Sequence, residues 1–124
     1  MNDDVLIFAY TRRQAIEDRV LYDVTETAKE AGIRFPVALT STVYGQCVSV
    51  PLGVTGQDEK GRLWDVLWML RHSVKCLGGD ASTLRYEVLV RNDEREPKLV
   101  RLKAVCGPND DGSPCITVMF PDED

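Results

Sequence analysis

Trp64, Trp68, Arg71 and Lys75 carry the clearest signal for interaction chemistry in this chain. Advanced at 100° per residue, the four fall within about 60° of one another on a helical wheel. Tryptophan and arginine concentrate binding energy at protein interfaces, because each offers much contact area at modest entropic cost. The competing arrangement covers both tryptophans with N-terminal helices or the loop 51–57, while Arg71 and Lys75 extend to water. A second stripe of the same helix holds Asp65, His72 and Cys76. His72 and Cys76 are four residues apart, and Cys106 with Cys115 would complete a four-ligand zinc set. None of these pairs has the close spacing of zinc modules, so neither metal nor cofactor is expected. Read as a thiol, an imidazole and a carboxylate, the stripe is a poor catalytic set. Side chains on one straight helix do not converge on a cleft, and His72 is the chain's single histidine. No catalytic residue is assigned.

Two charged clusters are the other candidates. Arg12 and Arg13 open a predicted helix, where free N–H groups and guanidinium groups together invite an anion. Basic residues are disfavoured by the helix dipole at that end, which points to an anionic partner inside or outside the chain. Asp3 and Asp4 lie near enough in sequence to serve. Asp110 and Asp111 sit in the oxygen-rich loop Gly107 to Pro114, whose spacing does not match the helix–loop–helix calcium pattern. The same residue types are what a hairpin turn requires, so the loop reads as a turn and as an exposed acidic contact. No glycine-rich phosphate loop or dinucleotide fingerprint is present.

The elements that must position these residues follow from periodicity. Val5 to Tyr10 reads as a strand, and Thr11 with Gln14 forms a capping box that starts a helix over Arg12 to Asp18. Val20 to Val24 is extended. Asp23 and Thr25 offer caps for a helix from Glu26 to Ala31, which stops at Gly32. Val37 to Val50 is ambiguous between a β-branched strand and a helix from Ser41 to Val48 capped by Thr40; the reading leans to the helix. The helix from Glu59 to Leu77 places Leu63, Val66, Leu67, Leu70, Val74 and Leu77 on one face. Three alternating strands follow, at Thr83 to Arg91, Lys98 to Cys106 and Cys115 to Phe120, with turn-rich connections. The expected fold is α+β: an antiparallel sheet, made of the C-terminal three-stranded meander and the N-terminal strand, packed on one long amphipathic helix with short N-terminal helices.

The chain of 124 residues, 44 % hydrophobic and 28 % charged, suits a single domain, 1–124, with a core of its own. Four widely spaced cysteines form no CxxC pair, and Cys106 and Cys115 flank a predicted hairpin loop that would bring them near each other. They read as small buried hydrophobes. No apolar run approaches the roughly 18 to 20 residues of a membrane span. The acidic start is unlike a secretory signal, so a cytoplasmic protein without membrane contacts is expected. The net charge of −5 is unevenly distributed. Residues 1–109 are neutral, and the excess comes from Asp110, Asp111, Asp122, Glu123 and Asp124. The basic residues Arg85, Arg91, Arg95, Lys98, Arg101 and Lys103 are interleaved with Glu87, Asp93, Glu94 and Glu96, a poor match to phosphate-driven nucleic-acid binding.

Three stretches carry a resemblance: Tyr10 to Asp18 with Asp23-Val24-Thr25; Gly56 to Leu67; and Leu102 to Pro108 running on to Pro121. Together they resemble a family of small bacterial, plasmid and phage proteins known only as a domain of unknown function. The resemblance supplies no catalytic residues. It implies an accessory, mobile-element gene product, with anti-defence or host-interaction roles. The chain is therefore read as a non-enzymatic binding module for a protein partner, or as a homodimer burying the tryptophan stripe. The alternative is a small enzyme or binder for a phosphorylated or nucleotide-like ligand, which requires Arg12 and Arg13 to converge with Asp58, Asp65 or His72.

Overall fold

The computed structural model describes residues 10–77, 82–93 and 95–123, with the side chains of all of these except 75–77. Most of the expected strand at Val5 to Tyr10 lies outside the described residues. The capping box forms as expected and opens helix α1 (Arg12–Glu17). The Gln14 N–H donates to Thr11 Oγ1, and the Thr11 N–H donates to Gln14 Oε1. Strand β1 (Leu21–Asp23) leads into α2 (Thr25–Glu30), where Asp23 Oδ1 accepts from the Thr25 N–H at 3.0 Å. The chain then turns at Gly32 with φ +94°. Glycine is needed there twice over, because a Cβ would also lie 2.3 Å from Nε of Arg71, whose side chain crosses it.

The ambiguity over residues 37–50 resolves into both readings in succession. Val37–Thr40 forms β2, and Ser41–Val43 forms α3, which widens into a π-turn over Tyr44–Val48. Thr40 is both the last strand residue and the helix cap, its hydroxyl accepting from the Val43 N–H at 3.3 Å. The long helix α4 (Glu59–Leu77) starts at Asp58, whose Oδ1 accepts from the Gly61 N–H at 2.7 Å. Strands β3 (Thr83–Val90), β4 (Lys98–Pro108) and β5 (Pro114–Met119) form the expected antiparallel meander.

The sheet order is β1-β2-β5-β4-β3, and it is mixed. β2 runs parallel to β5, while the other neighbours are antiparallel. The residues of β2 explain this departure from a wholly antiparallel sheet. Val37, Ala38 and Leu39 are all buried, the continuous apolar run of a strand covered on both faces. α4 packs on one face of the sheet, where Val66, Leu67 and Leu70 meet Leu84, Tyr86, Val88, Leu102 and Val118 in one buried cluster. Val74 departs from the expected core stripe and is exposed, because it lines a cavity of about 270 Å³ at that end of the sheet. Among the described residues, no helix is long and apolar enough to cross a membrane.

Candidate functional site

α4 holds Trp64 and Trp68 one turn apart, and the sheet beneath fixes its rotation. The two indoles stack with centroids 5.8 Å apart and planes 14° from parallel. The Arg71 guanidinium continues the ladder, its Cζ 5.8 Å from the Trp68 centroid. Trp64 is 36 % exposed and Trp68 47 %, so the rest of the chain covers the two indoles only in part; Thr27, Gly56 and Gln57 line the same groove as Trp64. Lys75 follows one turn after Arg71 on the helix; its side chain lies outside the described atoms. Beside Trp64 opens a groove of about 920 Å³ that takes in Asp58, Lys60, Asp65 and Val88.

The two charged clusters meet each other. The Asp110 carboxylate accepts from the Arg12 N–H at 2.8 Å and from the Arg13 N–H at 3.0 Å. It thereby covers the N-terminus of α1 and supplies the anion that this end of a helix favours. The Arg12 guanidinium donates to Thr117 Oγ1 and to the Ile116 carbonyl, while Arg13 pairs with Glu17 at 3.2 Å. Thr117 points away from its core-facing neighbours Ile116 and Val118, so Arg12 lies across the sheet from α4. The groove at Arg12 and Arg13 is lined by Glu17, Asp23, Thr25 and Asn109. Asp58, Asp65 and His72 take no part in it. Asp111 accepts from the Ser113 hydroxyl and, at 3.0 Å, from the Ser113 N–H, and these two bonds, the hydroxyl's first, hold its pKa below the usual value. Glu123 is also engaged, accepting at Oε2 from the Thr40 hydroxyl and the Phe120 N–H. Three of the five excess acids thus serve turns and caps of the chain itself.

Arg62, absent from the sequence candidates, is the most heavily bonded side chain described. It is 7 % exposed, and Nε donates to the Cys47 carbonyl at 3.1 Å. Nη1 donates to Gln57 Oε1 at 2.7 Å and to the Arg91 carbonyl at 2.6 Å. Nη2 donates to the Gln46 carbonyl at 3.2 Å and to Asn92 Oδ1 at 2.6 Å. All five guanidinium donors are used, and no carboxylate is among the acceptors. The compensating charge is the negative end of the α3–π-turn, whose last carbonyls Arg62 caps. Burial nonetheless pulls the Arg62 pKa down. Its sequence signal is its angle, about 100° from Leu63 toward the apolar side of the wheel. The group is a structural clamp joining the π-turn, the loop before α4 and the end of β3.

The remaining candidates separate. Asp65 and His72 are exposed on α4, and the Cys76 side chain lies outside the described atoms. Cys106 shares the α4 side of β4 as expected but is exposed beside the 270 Å³ cavity, whereas Cys115 is buried. The register pairs Cys115 with Gly107 and Cys106 with Ile116, so these two cysteines point to opposite faces and both are free. Among the described residues, no three His, Cys, Asp or Glu side chains are grouped to hold a metal. Burial raises the Cys47 thiol to about 11.

No curated protein and no solved structure matches the chain. The resemblance carried by Tyr10 to Asp18, Gly56 to Leu67 and Leu102 to Pro121 has its counterpart in a family model that runs across α1, α4 and the meander alike. That model, the family of unknown function DUF6573, matches residues 2–124, and the chain belongs to this family.

Proposed function

We propose that the protein is a non-enzymatic binding module that docks a protein partner on the Trp64–Trp68–Arg71 ladder. One observation carries this reading: two stacked indoles and a guanidinium are held in register on one helix, with 36 % and 47 % of the two indole residues open to solvent. A preordered aromatic surface loses little conformational entropy on binding, which is what makes tryptophan and arginine effective anchors. Lys60 and Lys75, on the same side of the helix, favour a partner with acidic residues around an apolar centre. The phosphorylated-ligand alternative has less support: Asp110 occupies the backbone amides of Arg12 and Arg13, and the groove beside the two arginines takes in none of Asp58, Asp65 and His72. The sequence resemblance adds a setting to the proposal: a cytoplasmic accessory protein of a bacterial mobile element, plasmid or phage, whose partner belongs to a host complex, including a defence complex.

The chain's two tryptophans are the two ladder residues, so intrinsic fluorescence reports on the surface directly. Partners captured from a host lysate are purified and titrated against the protein. A ladder-docked partner shifts the emission to the blue and shields it from acrylamide, and Trp68→Ala weakens its binding by at least about 2 kcal/mol. A partner that binds Trp68→Ala as tightly as the wild type and leaves the emission unchanged overturns the proposal.

A further inference from the structure

β3 ends the sheet. β4 takes one side of it, and no described strand pairs with the other. The Cys106 N–H donates to the Ser82 carbonyl at 2.7 Å, one step beyond the pairing of Thr83 with Val105. In an antiparallel ladder, residues bonded to a neighbour alternate with residues whose N–H and C=O point the other way. Leu84, Tyr86, Val88 and Val90 therefore bond β4. Thr83, Arg85, Glu87 and Leu89 turn their backbone groups to the open edge, and all four side chains are exposed on the sheet face away from α4. An edge of this length is a template for another strand.

The charges on this edge are unevenly matched within the chain. Glu87 pairs with Arg101 of β4 at 3.4 Å. Arg85 stands opposite Lys103, a like charge, and has no hydrogen bond or ion pair among the described residues. Lys103 is itself drawn to the Pro121 and Glu123 carbonyls.

We infer that β3 pairs antiparallel with β3 of a second copy, about a twofold axis at Tyr86. Arg85 then stands opposite the partner's Glu87, and Glu87 opposite the partner's Arg85. Backbone and charge select this register independently. Centred on Tyr86, the pairing sets Thr83 against Leu89 and Arg85 against Glu87, so every edge-facing N–H and C=O of the strand finds a partner. A slip by one residue in the centre sets Arg85 against Arg85 or Glu87 against Glu87 and leaves one edge residue without an opposite inside the strand. Like charges directly opposite are unfavourable, and opposite charges are favourable. The result is one continuous sheet through both copies. The contact is separate from the tryptophan ladder and does not depend on it.

Sedimentation equilibrium on the full chain tests this. The wild type is expected to approach twice the 13.9 kDa chain mass at about 100 µM and to dissociate on dilution. Arg85→Glu and Glu87→Arg each place like charges at both symmetric contacts and raise the dimer Kd by about tenfold or more. Mixing the two variants restores the dimer, because a chain carrying Glu at both positions faces a chain carrying Arg at both. Circular dichroism shows that each variant is folded, and Trp64→Ala/Trp68→Ala leaves the dimer intact. A monomeric wild type, single variants that still dimerise as the wild type does, or a mixture that stays monomeric would each overturn the inference.

Discussion

Arg62 and the tryptophan ladder share one helix and use their polar and aromatic groups in opposite ways. Arg62 spends every donor inside the chain, on acceptors from three separate segments. Trp64 and Trp68 spend their faces on each other and on Arg71 and leave about a third to a half of their surface wet. The contrast separates two kinds of conspicuous residue. A group whose partners are complete within the chain holds the fold, and a group held rigid with its surface unused is available to something else. Substitutions should sort accordingly, into those that cost stability and those that cost binding.

The largest effect is expected at Arg62. Arg62→Leu removes the donors of five acceptors, among them three backbone carbonyls, at one buried and four partly buried hydrogen bonds. The expected loss is about 3 kcal/mol or more, read as a lower urea midpoint. Arg62→Lys has too few donors and no planar fork, so it should fall between the wild type and Arg62→Leu. If Arg62→Leu unfolds at the wild-type midpoint, the clamp contributes nothing and the contrast with the ladder is lost.

Alkaline pH probes the same end of α4 from the buried side. Burial holds the Cys47 thiol protonated to about pH 11, against an ordinary value of 9.0. Between those values the unfolded chain releases a proton that the folded chain keeps, so stability falls as pH rises, by up to about 1.4 kcal/mol per pH unit. The Tyr86 phenol, raised by burial and donating to the Val66 carbonyl at 3.1 Å, extends the loss above pH 10. Denaturant midpoints from pH 8 to 11 measure the slope, and Cys47→Ala should flatten its first part.

What the sequence discloses and what it hides follow from the range of each interaction. The capping box, the Gly32 stop, the alternation of β3 and β4 and the wheel of α4 depend on residues a few positions apart, and all were legible. The strand at Val37–Thr40 and the helix after it were legible only as a conflict, since Thr40 belongs to both. Arg62 was hidden because three of its five acceptors are backbone carbonyls, which every residue has and no residue type announces. Its partners also come from residues as distant as Asn92. The Asp110 carboxylate is nearly a hundred positions from the amides it caps. The sequence shows that both charges exist, and only the fold shows that one answers the other. The ladder was legible as a stripe, but its exposure depends on how far the neighbouring segments reach over α4.

A smaller effect sharpens the contrast at α1. Asp110→Ala leaves the Arg12 and Arg13 amides without their acceptor and removes the negative charge at the helix start. A lost cap of this kind costs about 1 kcal/mol. Hydrogen exchange at those two amides should accelerate several-fold, while exchange in α4 stays as in the wild type. Acceleration that spreads to α4 would mean that the α1 junction and the long helix open as one unit.

The smallest effect on stability is expected where the largest effect on binding is proposed. Trp68→Ala gives up a stacked aromatic pair, a cation–π contact and part of the indole's buried area at a half-exposed position, together about 1.5 kcal/mol. Alanine returns about 0.5 kcal/mol through its higher helix propensity. The net cost is therefore about 1 kcal/mol or less, well below that of Arg62→Leu in the same denaturation series. A variant that is folded, nearly as stable as the wild type and unable to bind identifies the ladder as surface held in reserve for a partner. A loss of stability comparable to Arg62→Leu would instead make the ladder part of the core's support, and the two regions of α4 would no longer differ in kind.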